Sequence, residues 1–414
     1  MSQQIYTHVF DNGLTLLAEP IASLESAAFT LLLPAGFVYD RPDRVGVANF
    51  TCEMMLRGCG SRDSRAFVND LDNLGVERGE SCAASHMSFS GATRAANLMP
   101  TLSIYADLVR RPHLPGDQLE AGRAVVLQEL QAIEDDPAHK VMVDLRRRHY
   151  GDPWGRPSAG EEATLESADI DELKAYFAQH SRPNGAILAV AGRVDWDATV
   201  REVGKLFGDW KPTDVPPPAD VVHKRASHHE HHESNQTQIG VAYRSVPYNH
   251  PQYFQAWGAV GALSGGMSCR LFTEIRERRG LCYSVYASHH TLLDRGSVLC
   301  YAGTSAERAQ ETLDVLVAEL KRLSAGIEPA ELDRLKARVK SGLIMQQESS
   351  SARSGSIARE HYLLGRVRTL DELSQLVDAV TCASINEYLA ANPPRDFVVA
   401  TLGGAPLELP DGVS

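Results

Sequence analysis

The sequence predicts an α+β protein built from two homologous domains, and three observations carry that expectation. The chain has 414 residues, 43% of them hydrophobic, enough to bury more than one core. A proline-rich stretch, Lys211-Pro212-Thr213-Asp214-Val215-Pro216-Pro217-Pro218-Ala219-Asp220, divides it near the middle with the stiff, extended backbone of a linker. Landmarks also recur across that divide: Tyr176 and Tyr388, and Gly192 and Gly404, each lie 212 residues apart. Such a long repeat reads as a duplicated domain. The expected boundaries are a domain over 1–211, a Pro/His-rich linker over 212–234 and a second domain over 235–414.

Taken in order, His8 to Leu16 places an Asn12-Gly13 turn between apolar strands, a hairpin signal. Ala27 to Leu33 is a buried strand closed by Pro34-Ala35-Gly36. Asp40-Arg41-Pro42 precedes the first helix, as Asn249-His250-Pro251 precedes its counterpart in the second half. The acidic cluster Glu134-Asp135-Asp136, followed directly by Pro137, reads as a solvated helix end or turn rather than a catalytic acid pair. Asn184 to Gly192 ends in an apolar strand, and Phe397 to Gly404 repeats it. The run His228-His229-Glu230-His231-His232-Glu233 reads as a connector or the start of an edge strand, since its spacing is not that of a helical zinc motif. Leu313, Leu316, Val317, Leu320 and Leu323 form one stripe of an amphipathic helix that covers a sheet.

Composition narrows the function classes. Lys plus Arg is 41 against 53 Asp plus Glu, a net charge of −12, which argues against a nucleic-acid surface. Seven cysteines without a C-x-x-C pair fit a reducing compartment. The N-terminus lacks a basic region followed by an apolar one, and no apolar run reaches membrane-spanning length. A cytoplasmic location and no membrane association are therefore expected.

The segment Gly46-Val47-Ala48-Asn49-Phe50-Thr51-Cys52-Glu53-Met54-Met55-Leu56-Arg57-Gly58 resembles the active-site helix of the pitrilysin/insulinase family, the inverted zinc peptidases that include mitochondrial processing peptidase. There an H-x-x-E-H run supplies two imidazole ligands and a water-activating Glu. Here the two His positions are Asn49 and Glu53, and the Glu position is Cys52. Arg123 to Leu130 resembles the helix bearing the third ligand, which makes Glu129 the one retained ligand position, while the family's supporting Glu falls on Gly122. Trp154-Gly155-Arg156-Pro157 and Asn184 to Gly192 match the family's next turn and strand. Gly265 to Tyr283 is similar to its Ser-Arg-Leu-Phe…Arg…Gly-Leu…Tyr segment and keeps the R-x6-Y pair, Arg276 and Tyr283. Gly265-Gly266 resembles a shortened form of the glycine-rich loop of the processing peptidase's non-catalytic subunit.

The resemblance implies two domains, each a mainly antiparallel sheet with helices on one face, together half of a clam-shell peptidase. It implies a non-catalytic subunit of a heterodimeric zinc metallopeptidase. Arg276 and Tyr283 would grip peptide substrate at the zinc of a zinc-bearing sister chain, with no cofactor in this chain; a homodimer in isolation stays open. Two other readings remain: a scaffold with no proteolytic role, and an autonomous peptidase whose atypical ligands are Cys52, Glu53 and Glu129. On the helix, Asn49, Cys52 and Glu53 would share a face at i, i+3 and i+4.

Overall fold

In a computed structural model describing residues 3–413, the chain divides into two compact units. Among the described residues the first contains 3–132, Asp152–Asp220 and Ile344–Thr369, and the second Ile133–Gly151, Val221–Leu343 and 370–413.

The first unit has strands β1 (Tyr6–Val9), β2 (Thr15–Pro20) and β3 (Ser26–Leu33), a two-stranded ribbon of β4 (Gly58–Cys59) and β5 (Arg62–Asp63), then β6 (Glu77–Cys82), β7 (Met87–Arg94) and β8 (Ile187–Gly192). Its sheet runs β1-β2-β8-β3-β7-β6, and only β2 and β8 pair in parallel. The β1–β2 turn is the Asn12-Gly13 one, with Gly13 at φ +86, where a side chain would be strained. Leu14, Leu16, Phe29, Leu31 and Phe89 fill one face beneath the helices Val47–Met55, Leu98–Arg110, Ile170–His180 and Trp196–Phe207. On the opposite face Leu17, Ile187 and Ala189 meet Ile357 and Ala358 of the helix Ser350–Leu364.

The second unit contains β9 (His228–His231), β10 (Gln236–Ser245), β11 (Cys282–Thr291), β12 (Gly296–Ser305) and β13 (Val398–Gly403). The order is β11-β12-β10-β13-β9, with only β9 and β13 parallel. The helices Tyr253–Ser264, Ala309–Arg322 and Cys382–Ala391 cover one face. The helix Pro137–Tyr150 covers the other through Val141, Met142 and Leu145. Leaving out β1, the order β6-β7-β3-β8-β2 and its pairing directions are those of β11-β12-β10-β13-β9, so each unit repeats one topology.

One sequence expectation changes and one alternative is decided. The single cut at 212–234 does not describe the units, because the helices starting at Pro137 and Ser350 each pack on the sheet built mainly from the other half. Proline content marks where a chain is stiff, not which sheet face a helix covers. Both faces of each sheet therefore carry helix. Of the two readings of the histidine run, the edge strand holds over His228–His231, which fall inside the expected linker: β9 pairs along β13 at the edge of the sheet, with His228 Nδ1 2.8 Å from Asp144 Oδ2 and His229 Nδ1 2.9 Å from Thr401 Oγ1. Asp136 caps the helix Pro137–Tyr150 by accepting from the amides of Ala138 and His139, and Glu134 pairs with Lys140 at 2.6 Å. Among the described residues no helix is long and apolar enough to cross a membrane.

Candidate functional site

The helix Val47–Met55 is fixed at its N-terminus by Asp40, whose carboxylate accepts from the amides of Gly46 and Ala48 at 2.8 Å each. This satisfies two of the helix's unpaired donors. Burial pushes the Asp40 carboxyl up to about 7, although both amides and Arg156 pull it down. A Cβ at Gly46, φ +117, would come within 2.8 Å of the Gly160 Cα, so this entry requires glycine. The frame of the helix is thus intact around its altered positions.

Those positions are engaged with each other and with neighbours. Asn49 Nδ2 donates to Glu129 Oε2 at 3.0 Å, so the structure brings these two together across the helix Leu119–Glu134. Glu53 is held by Arg57, one turn on, at 2.7 Å. Cys52 packs into the core, and burial pushes its thiol up to about 12, with Glu80, Glu53 and Glu129 adding to the rise. Asn49 and Glu53 are half-buried and Glu129 is exposed, so the three helix positions do not form one accessible face. At Gly122 the two helices approach so closely that a Cβ would lie 2.4 Å from Met54 Sδ and 3.2 Å from Arg57 Nε. The position of the family's supporting Glu is thereby filled by Met54 and Arg57, a residue that sequence reasoning did not single out.

Zinc is the metal this helix implies, and the donor set does not fit it. An amide is a weak ligand, the thiol is buried in its protonated form, and the Glu53 carboxylate already carries the Arg57 cation beside it. Among the described residues no group of three or more His, Cys, Asp or Glu side chains is arranged to hold a metal ion.

Arg276 and Tyr283 are brought together by two local irregularities. Residues Phe272–Arg278 wind as a π-helix, a wide turn that recurs at functional sites. The β11–β12 register then slips between Cys282 and Ser284, leaving Tyr283 as a bulge residue, a device that re-aims a side chain. Tyr283 is 82% exposed and is not a core aromatic. The Arg276 guanidinium lies 4.5 Å from the Tyr283 ring centre and 4.7 Å from that of Phe272. Its cation is held between two π-faces. No hydrogen-bond acceptor among the described residues engages Arg276 or the Tyr283 hydroxyl, and the Tyr283 side chain is open to solvent. Phe272, four residues before Arg276, was not foreseen; its spacing would have been the signal. Arg308 secures the intervening turn by donating to the carbonyls of Gly280 at 2.8 Å and Arg279 at 2.9 Å.

A duplicated mixed sheet, with an altered peptidase helix in one unit and an Arg/Tyr pair in the other, defines a metallopeptidase-like protein. Residues 17–160 match the family model described as Insulinase (Peptidase family M16), and residues 167–339 match that described as Peptidase M16 inactive domain. The chain belongs to peptidase family M16, with a second domain of the inactive type. It is 26% identical over 406 residues to an uncharacterized zinc protease, YmxG, of Bacillus subtilis, covering 96% of this chain and 98% of that protein. An uncharacterized zinc protease of Rickettsia bellii is 24% identical, covering 93% of this chain and 94% of that protein. Among solved structures, a peptidase M16 inactive domain from Pseudomonas fluorescens superposes with a TM-score of 0.86 at 22% identity, covering 98% of this chain and 100% of the other. A protease from Helicobacter pylori gives 0.87 at 19% identity, covering 97% and 100%. At these identities the structures speak for the fold alone.

Proposed function

We propose that this chain is the non-catalytic member of a two-chain zinc peptidase, and that Arg276 and Tyr283 hold peptide substrate bound at the zinc of a sister chain. The observation that carries this reading is the stacked Arg276–Tyr283 pair with its donors left free. A scaffold has no need of such donors. The amide, thiol and ion-paired carboxylate at Asn49, Cys52 and Glu53 support the other half of the reading, that the metal chemistry belongs to the partner. Arg offers up to five N–H donors and Tyr one O–H. Aimed at a peptide carbonyl or the oxyanion that forms from it, such donors contribute on the order of 2–4 kcal/mol each, about a hundredfold to a thousandfold in rate.

The test is reconstitution with a zinc-bearing M16 sister chain. The mixture is expected to cleave peptide, the isolated chain is not, and Arg276→Ala or Tyr283→Phe lowers turnover about a hundredfold or more without preventing association. Unchanged turnover in both variants would favour the scaffold role. Peptide cleavage by the isolated chain, abolished by Glu129→Gln, would assign catalysis to this chain instead.

A further inference from the structure

We propose that the Arg276–Tyr283 pair recognises a carboxylate of the bound peptide, carried by an acidic side chain or by a free C-terminal end. The inference rests on the peptide-holding role proposed above and names the group that is held. Phe272 and Tyr283, with ring centres 4.7 Å and 4.5 Å from the guanidinium carbon, hold the cation by their π-faces and supply no negative charge. Arginine is a planar fork of N–H donors. A carboxylate offers two oxygens at the spacing of that fork, where a peptide carbonyl offers one. The Tyr283 hydroxyl brings one further donor from a side chain that is 82% exposed. The π-turn Phe272–Arg278 and the bulge at Tyr283 set this arrangement, and both lie in the second unit.

The arginines of the same unit show what the fork takes when a carboxylate is at hand. Arg270 donates through Nε and Nη2 to the two Glu331 oxygens at 2.7 Å each. Arg278 pairs with Glu274, and Arg322 with Glu319. Glu274 also lies 3.9 Å from Arg322, so that carboxylate is shared between two other cations. Glu277, next to Arg276 in sequence, is exposed and forms no ion pair with it among the described residues. Arg276 itself is half-buried and stays charged. A charge-assisted, bidentate partner gives such a cation hydrogen bonds about twice as strong as a neutral one does. The net charge of −12 repels acidic peptides from the surface at large, so the preference is local to this pair.

The test uses the full chain, titrated calorimetrically at fixed ionic strength with short N-acetylated peptides of alanine, serine and glycine. These differ only in carrying Glu or Gln at the centre and a free or amidated C-terminus. The parent is expected to bind at least one carboxylate-bearing peptide about tenfold or more tighter than the Gln amide, and whichever group gives that preference identifies its source. Arg276→Gln is expected to abolish the preference, and Arg276→Lys, which keeps the charge without the fork, to lose most of it. Equal binding of all the peptides, or binding of none, overturns the proposal. A preference that survives Arg276→Gln belongs to another cation and overturns it equally. The same peptides given to the pair reconstituted with a zinc-bearing sister chain separate this inference from the role it rests on. Cleavage with no carboxylate preference overturns the inference alone, and carboxylate-dependent binding with no cleavage overturns the role alone.

Discussion

Arg353 and Glu19 are 334 residues apart in sequence and form an ion pair at 2.8 Å, with both side chains almost wholly buried. Glu19 lies on β2 and Arg353 near the start of the helix Ser350–Leu364, so the pair ties the helix contributed by the second half to the sheet of the first unit. Glu19 also accepts from Gln3 at 2.7 Å, while Arg353 Nη1 has no partner. Removing one member leaves the other charge buried and uncompensated. Arg353→Met or Glu19→Gln is therefore expected to destabilise the chain by about 3–5 kcal/mol, and Arg353→Met combined with Glu19→Leu to recover most of that loss. Urea unfolding of the three variants checks this. Single variants as stable as the parent would show that the pair contributes little.

The same helix shows where the sequence stops being legible. The stripe Leu313, Leu316, Val317, Leu320 and Leu323 announces a sheet-covering helix, and all five are buried as expected. The helix Ser350–Leu364 buries Ser350, Arg353, Ser354 and Glu360 beside Ile357, Ala358 and Leu363, so no apolar period marks it. Its partners lie on β2, β3 and β8, beyond the reach of any local pattern. At the site, the altered identities of Asn49, Cys52, Glu53 and Gly122 could be read from the motif. The role of Arg57 against Gly122 could not, because it depends on a close approach set by the helix crossing, while Phe272 left only its four-residue spacing from Arg276 as a signal.

Acid should weaken this fold. Burial holds His149 down to about 3, and His86, His180 and His289 to about 4, against about 6.5 in an unfolded chain. Their contribution is fully present above about pH 6.5 and is lost as pH falls towards 4, because only the unfolded state takes up these protons. Asp40 acts with the opposite sign. Its folded value of about 7 lies above its unfolded one, so ionising it weakens the fold as pH rises from about 4 to 7. Four histidines oppose one carboxyl, and the net expectation is lower stability at pH 5 than at pH 7. His149→Gln should flatten the dependence and Asp40→Asn should steepen it, as followed by urea midpoints across that range. A parent protein more stable at pH 5 would contradict the assignment of the four histidines as buried and neutral.

The cysteines should separate into two classes. All seven are free; Cys52, Cys59, Cys82, Cys282 and Cys300 are buried, and Cys269 and Cys382 are half-buried. Burial raises the thiols of Cys59 and Cys282 to about 11 and that of Cys52 to about 12, which suppresses the reactive thiolate. Brief labelling with a thiol reagent at pH 8, read by peptide mass spectrometry, is expected to modify Cys269 and Cys382 and to spare the other five until the chain unfolds. Rapid modification of Cys52 in the folded chain would show that its position on the altered motif is accessible after all.

The stacking of Arg276 separates a structural from a chemical role for Tyr283. Tyr283→Phe keeps the ring under the guanidinium and removes only the hydroxyl. Tyr283→Ala removes the ring, whose cation–π contact at such an exposed site is worth about 0.5–1 kcal/mol. Unfolding experiments should therefore find Tyr283→Phe within about 0.5 kcal/mol of the parent, as for other surface substitutions. If Tyr283→Phe were as destabilising as Tyr283→Ala, the hydroxyl would have a partner within the fold and would not be available to substrate.

The hydrogen bond between Asn49 and Glu129 joins two residues that the motif resemblance places at ligand positions, and on that reading the altered site is reversible in part. Asn49→His with Glu53→His would place two imidazoles one helical turn apart opposite the Glu129 carboxylate, three ligands of the kind zinc accepts. The second change also releases Arg57 from Glu53, and that freed cation opposes the metal, so Arg57→Gln belongs in the same variant. Peptide cleavage should not return with the metal, because Cys52 supplies no carboxylate to activate a bound water. The expected outcome is about one zinc per chain in the triple variant, well below that in the parent, and no hydrolysis by either. Metal content is measured by mass spectrometry after dialysis, with His228, His229, His231 and His232 replaced in both proteins so that the β9 histidines do not contribute. A triple variant that folds but binds no zinc would show that the helix Val47–Met55 no longer holds the geometry of a metal site, and zinc at full occupancy in the parent would overturn the assignment of its donor set as unfit.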